Sequence, residues 1–268
     1  PSVALTTELN GIEGAETVII SVGSQSLRSL LGEAPMQALR SKTVVLCMKG
    51  LEMDTGKRLS QIAGECLDPS NNVAVWLGPG HVQEFYRGIP NCMVIDSANE
   101  EVKRRLVQSF SSDLIRFYYG GDMIGNEVGA AAKNVVGIAA GFLDGVEMSS
   151  LKGALMSRGT REVARLIRAM GGSELSAYGL CHLGDYEATV FSPYSHNRQF
   201  GEAFIRHQDF HRLAEGYYTV EALMLLGRQY GVELPICRAV HDILYEHADP
   251  KATLQSLLRR GLRAEFDD

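Results

Sequence analysis

A chain of 268 residues, 45% of them hydrophobic, can bury one large core or two ordinary ones, and two domains are expected. The formal net charge of -6 offers no basic field for a nucleic acid, so small-molecule chemistry is the expected occupation. Cys47, Cys66, Cys92, Cys181 and Cys237 are scattered without a Cys-x-x-Cys spacing, which argues against a disulfide framework or a zinc site and fits a reducing cytoplasm. No apolar run approaches the roughly 20 residues that span a bilayer, and the first residues lack the basic-then-apolar pattern of a secretion signal, so a soluble protein is expected.

After a polar, turn-rich opening over Pro1 to Glu16, the run Thr17 to Val22 reads as a short strand buried on both faces. Gly23 and Ser24 break it before a helical stretch that begins near Gln25. The cycle repeats with Thr43 to Met48 running into Lys49-Gly-Leu-Glu52, and with Asn72 to Leu77 running into Gly78-Pro-Gly80. Strands alternating with helices predict a parallel sheet with crossovers, whose carboxyl ends are where ligands bind; Lys49, Gly78 and Gly80 stand at those ends. Cys92 to Asp96 and Ile115 to Tyr119 are further strand candidates, separated by a charged helix from Asn99 to Phe110. From Asp122 onward the pattern turns helical, over roughly 123–145, 151–171, 199–206, 216–230, 235–247 and 250–260, with a boundary near Gly120-Gly121.

Two phosphate-binding patterns are not met. Gly50-Leu-Glu-Met-Asp-Thr-Gly56-Lys57 is one residue too long for a phosphate-binding loop and is followed by Arg58 where Ser or Thr is needed. Gly78-Pro-Gly80 is followed by Gln83 where a Gly-x-Gly-x-x-Gly turn needs glycine, so the sheet beginning at Thr17 lacks its phosphate-binding turn and an upstream segment is expected.

The stretch from Gly125 to Gly141 is the centre of the chain. Asp122 can cap its start, and small and aliphatic residues follow without proline, which predicts a buried helix. Gly125, Gly129, Gly137 and Gly141 share one slowly drifting face, with Lys133 in the middle of the row. Glycine costs a helix interior roughly 0.5–1 kcal/mol relative to alanine, so close approach by another backbone or a ligand must favour the pattern. Lys133 has two readings. Buried among alanines and valines, its ammonium would lose affinity for its proton and become a proton carrier near neutral pH. Alternatively it lies along the surface and pairs with a carboxylate such as Glu127.

Six motifs in sequence order resemble those of the NAD(P)-dependent glycerol-3-phosphate dehydrogenases. They are Lys49-Gly-Leu-Glu52; Gly78-Pro-Gly-His-Val-Gln-Glu84; Ile124-Gly-Asn-Glu-Val-Gly-Ala-Ala-Ala-Lys-Asn134; Leu183-Gly-Asp185 with Thr189; Ser192-Pro-Tyr-Ser-His-Asn-Arg198 with Phe200-Gly201; and Ala214-Glu215-Gly216 followed by Leu234-Pro235-Ile236. The resemblance implies an α/β N-terminal part over residues 1–121, the remnant of a Rossmann-like parallel sheet that binds dinucleotide, followed by an all-α domain over 122–268. It implies hydride transfer between NAD or NADP and the C2 carbon of dihydroxyacetone phosphate or glycerol 3-phosphate, feeding glycerophospholipid synthesis. By the resemblance, Lys133, Asp185 and Lys49 are catalytic. Gly78, Gly80, Thr189, Ser195, His196 and Asn197 join them around the substrate, and Lys49, Val82, His196, Leu213 and Glu215 face the cofactor. A cytoplasmic homodimer is implied, and no metal.

Taken without the family, several of these residues have plainer readings: Asp185 as a turn or cap after Gly184, Thr189 and Asn197 as loop caps, Glu215 as a charge at a helix start. The chain also departs from the family pattern. Ala4-Leu-Thr-Thr-Glu8 resembles a segment that in the family follows the first strands and the Gly-rich turn. His196 replaces an arginine, and a histidine has no bidentate fork, so phosphate affinity should fall unless Arg198 swings in. Gly80, His81 and Val82 replace Ser-Phe-Ala, and His182 stands where the family usually has glycine before Leu-Gly-Asp. A relative that binds a phosphoester without turnover, or that acts on another hydroxyl substrate, is the alternative.

Overall fold

The computed structural model of the protein describes residues 3–80 and 82–259; His81, one of the three residues that replace Ser-Phe-Ala, and the last residue of the 250–260 helix lie outside them. Five strands, β1 (Thr17–Ile20), β2 (Thr43–Leu46), β3 (Asn72–Leu77), β4 (Asn91–Ser97) and β5 (Ile115–Tyr119), form one sheet in sequential order. β1, β2 and β3 run parallel and level, with Ile20 beside Leu46 and Leu46 beside Val75, so their carboxyl ends meet at one edge. Side chains alternate between the faces, as a pleated strand requires. Val44, Leu46, Val75 and Leu77 share a core with Leu27, Leu31, Met36 and Ile62 of the short helices α1 (Leu27–Leu31), α2 (Ala34–Gln37) and α3 (Leu59–Cys66).

All-parallel pairing fails at one place. β4 runs antiparallel to β3, with Trp76 opposite Ile95, while β5 returns parallel to β4. Among the described residues, the connection from β3 to β4 holds only the five-residue helix α4 (Val82–Tyr86). At about 8 Å that helix cannot carry the chain back along the roughly 20 Å of β3, as a parallel crossover must. The next connection holds the eleven-residue helix α5 (Glu100–Phe110), and there the crossover is made. α5 covers Val45, Ala74, Ile95 and Phe117 on the second face but does not reach β1. Ile19 is accordingly 44% exposed, so β1 is not the doubly buried strand its composition predicts.

The chain leaves the sheet at Gly120, whose N–H donates to the Ile95 carbonyl at 2.8 Å. Helix α6 (Met123–Gly145) follows, with Asp122 accepting from the Gly125 N–H at 3.0 Å as its cap. Every residue from Gly125 to Leu143 is buried, because α7 (Lys152–Ala169), α8 (His196–Ile205), α9 (Glu215–Tyr230) and α10 (Pro235–Tyr245) pack round it and its other side meets the sheet. α11 (Pro250–Leu258) closes the described chain. α8 starts earlier than periodicity predicts, since the Ser195 hydroxyl caps it by accepting from the Arg198 N–H.

The glycine row of α6 is the groove into which residues 176–202 settle. A Cβ at Gly141 would overlap the Arg198 carbonyl, and one at Gly137 would stand 2.8 Å from Thr189 Cγ2 and 3.2 Å from Asn197 Cβ. Lys133, one turn before Gly137 in the same row, therefore faces the same segment. Gly141→Ala is expected to destabilise the protein by about 2 kcal/mol or more, because backbone rather than a flexible side chain must give way. A urea midpoint equal to that of the parent protein would show that α8 can move aside.

Candidate functional site

Lys133 is buried in α6, and the partner it finds is Asp185: Nζ lies 3.0 Å from Oδ2 and donates to Thr189 Oγ1 at 2.8 Å. Thr189 Oγ1 in turn donates to the Asp185 backbone carbonyl at 2.7 Å, which ties the aspartate and the threonine into one turn. That turn runs into a π-helical turn over Glu187–Phe191, a local overwide winding that recurs at functional sites. Lys49 reaches the same carboxylate oxygen from the sheet, Nζ to Oδ2 at 2.7 Å, and donates to the Gly78 carbonyl at 2.6 Å. Gly78 has φ of +122°, a conformation that favours glycine, and a Cβ there would stand 3.1 Å from Met93 Cα. One nearly inaccessible carboxylate thus holds two ammonium groups, one from each part of the chain.

Burial lowers the affinity of Lys133 for its proton to a pKa of about 8; Asp185 opposes the fall and Lys49 adds to it. The lysine is therefore charged at neutral pH yet within reach of deprotonation.

The surface reading of Lys133 is corrected by the fate of Glu127. Its carboxylate is buried against α3, accepting from Arg58 Nη1 at 2.6 Å, from the Ser60 N–H at 2.8 Å and from Ser60 Oγ at 2.6 Å. Six residues at 100° place Glu127 about 240° round the helix from Lys133, so the two cannot pair.

Asn134 is a residue the sequence reasoning passed over. Its Nδ2 donates to the Lys49 backbone carbonyl at 2.7 Å, and its Oδ1 accepts from Asn197 Nδ2 at 3.0 Å. Asn197 Oδ1 then accepts from the Gly216 N–H at 2.9 Å, so one chain of amides aligns the end of β2 with α6, α8 and α9. The signal was its place next to Lys133, but only packing reveals the partners.

The remaining expected residues divide. Ser195, expected at the substrate, is buried with Oγ capping α8. His196 is exposed in the first turn of that helix, and Asn197 lies against Gly137, so this helix start stands about one turn of α6 from Lys133. Arg198 does not substitute for the missing arginine: its Nη1 is bound to Asp144 at 2.7 Å and to Glu202 at 3.3 Å. Gly80 offers only backbone, since a Cβ would meet the Phe85 ring at 2.8 Å, and Val82 is 78% exposed on α4.

Glu215 reaches from α9 to the end of β1, where Oε1 accepts from the Ser24 N–H at 2.8 Å and Oε2 accepts from the Ser24 hydroxyl. Leu213, half exposed, rests its Cδ2 over Gly23. Gly23, Gly50 and Gly78 follow β1, β2 and β3 at the level edge, and there the Ser24 and Glu215 side chains close over Gly50. Small residues at strand ends, an apolar cover from Leu213 and Lys49 beside them are a donor set that fits the reacting end of a dinucleotide.

Two family models match the chain: "NAD-dependent glycerol-3-phosphate dehydrogenase N-terminus" over residues 2–103 and the corresponding "C-terminus" over residues 122–255. A glycerol-3-phosphate dehydrogenase [NAD(P)+] of Thermus thermophilus is 37% identical over 261 residues, covering 95% of this chain and 79% of the relative. One from Desulfitobacterium hafniense is 33% identical over 276 residues, covering 100% and 78%. The crystal structure of glycerol-3-phosphate dehydrogenase from Coxiella burnetii superposes with a TM-score of 0.88 at 29% identity, over 94% of this chain and 80% of that one. No helix among the described residues is long and apolar enough to cross a membrane. With both halves matched in order and the similarity spread over nearly all its length, the chain belongs to the NAD-dependent glycerol-3-phosphate dehydrogenase family.

Proposed function

We propose that the protein interconverts sn-glycerol 3-phosphate and dihydroxyacetone phosphate by hydride transfer with NAD(P), and that Lys133 moves the proton. The observation that carries this reading is a buried lysine of lowered basicity, held by Asp185 and Thr189 beside the strand ends. A bound nicotinamide would supply the hydride acceptor or donor for C2. In oxidation the neutral Nζ of Lys133 accepts the hydroxyl proton as the hydride departs, which avoids a free alkoxide. In reduction its ammonium donates that proton to the forming alkoxide. Asp185 holds Lys133 and Lys49 in place, and the remaining donor capacity of Lys49 faces an anionic substrate.

The phosphate end is assigned to the start of α8, where the first-turn backbone of His196 and Asn197 and their side chains stand together. His196→Arg is expected to lower the KM for dihydroxyacetone phosphate by about tenfold, since a guanidinium adds two parallel charge-assisted bonds that imidazole cannot. An unchanged or higher KM would mean that the pocket is built round histidine. A homodimer through the helical domain and a cytoplasmic location complete the reading, and sedimentation equilibrium tests the first.

The function itself is tested by mixing the protein with dihydroxyacetone phosphate and NADH or NADPH and following the absorbance of the reduced nicotinamide. Loss of absorbance with one of them is expected. No loss with either would favour a phosphoester-binding relative without turnover.

A further inference from the structure

Two residues flank Asp185 that the proposed reaction does not use, His182 and Tyr186, and both are completely buried. His182 Nδ1 lies 2.8 Å from the Gly129 carbonyl and Nε2 lies 2.7 Å from the Tyr186 hydroxyl. A carbonyl only accepts, so Nδ1 carries the proton and Nε2 accepts from the tyrosine; the ring is neutral with both nitrogens engaged. In an α-helix the Gly129 carbonyl is also the acceptor for the Lys133 N–H, four residues on. Behind the ring, the His182 backbone carbonyl accepts from the Asp185 N–H at 3.0 Å. His182 therefore bonds the Asp185 backbone directly and shares with the Lys133 N–H one acceptor, the Gly129 carbonyl. Gly129 lets it in: a Cβ there would stand 3.0 Å from His182 Cβ.

We infer that His182, braced by Tyr186, is a positioning residue that sets the Lys133 turn of α6 against Asp185. It touches no substrate, and its action runs through the Gly129 carbonyl and the Asp185 N–H. The inference rests on the proposed role of Lys133 in proton transfer. The neutral ring also suits the place, since an imidazolium so close to Lys133 would repel it; burial holds His182 down to about 4.

The test compares the full chain with His182→Ala, His182→Asn, Tyr186→Phe and the His182→Ala/Tyr186→Phe double variant. Two readouts are taken: kcat and KM for dihydroxyacetone phosphate, and the pH titration of the Lys133 Nζ resonance in nitrogen-15 spectra. His182→Ala is expected to lower kcat about 30-fold while KM stays within about threefold, because only the proton-transfer geometry is disturbed. Its Lys133 midpoint should move up from about 8 as water enters the vacated volume. His182→Asn, whose amide can still donate to the Gly129 carbonyl, should recover most of both. Tyr186→Phe should shift both readouts less and in the same direction, and the double variant should be no worse than His182→Ala.

A kcat and a midpoint unchanged in His182→Ala overturn the inference, as does a His182→Asn variant that recovers nothing. If His182→Ala does not fold, His182→Asn and Tyr186→Phe decide by the same two readouts. If the parent protein shows no turnover with either nicotinamide cofactor, the proposed function fails. The nitrogen titration then still decides whether His182 holds the lysine.

Discussion

Lys133→Met is expected to abolish turnover, with a fall in kcat of about 1,000-fold or more, while the protein still unfolds in one cooperative step. A positioned proton carrier contributes about 100- to 10,000-fold, and methionine fills the same volume without carrying a proton. The fold should survive because Asp185 keeps Lys49 at 2.7 Å and Thr189 keeps its bond to the Asp185 carbonyl. Retention of turnover within about tenfold, worth roughly 1.4 kcal/mol of barrier, would remove Lys133 from the mechanism.

The pH dependence follows from the same lysine. Oxidation of glycerol 3-phosphate needs the neutral amine, so its kcat should rise through about pH 8; reduction needs the ammonium and should fall through the same region. Stability carries a matching sign. Lys133 is less basic folded than unfolded, so the stability it contributes is complete above the unfolded value near 10.5 and is lost as pH falls toward 8. The shift corresponds to about 3 kcal/mol. Lys133→Met should therefore flatten the rise in stability between pH 8 and 10.5, which urea titrations at those two pH values would detect.

What the sequence makes legible is local. Asp122 as a cap, the glycine row on one face of α6 and the breaks at Gly23, Lys49 and Gly78 are set by neighbours a few residues away, and each occurs where periodicity and turn chemistry put it. What it hides is set across the chain. The direction of β4 depends on the length of the connection before it, not on any residue within β4. Glu127 carries no sign in sequence that Arg58 and Ser60, on a distant helix, will take its carboxylate. Ser195 has the composition of a substrate contact and of a helix cap alike, and the bond to the Arg198 N–H shows it capping the helix. His182 and Tyr186 stand four apart, a visible spacing, but the Gly129 carbonyl that gives the pair its position is 53 residues away.

Asp185→Asn is expected to be the second large effect, and it separates the roles of the two charged partners. Asparagine keeps the shape but removes the only charge shared by Lys133 and Lys49 among the described residues. Breaking a buried pair typically costs 3–5 kcal/mol because the surviving charge is left in a low dielectric, and the lysine relieves this by giving up its proton. Without the aspartate that opposes burial, Lys133 must become less basic than in the parent protein. Reduction at neutral pH should then lose about 100-fold or more in kcat, because little ammonium remains, while oxidation should be damaged less and keep activity to lower pH. The midpoints of both pH profiles should move down together. If Asp185 were itself the proton acceptor, oxidation would be the direction destroyed and Lys133→Met would be the milder variant. The order of losses in the two directions thus distinguishes an aspartate that holds a lysine from an aspartate that takes a proton.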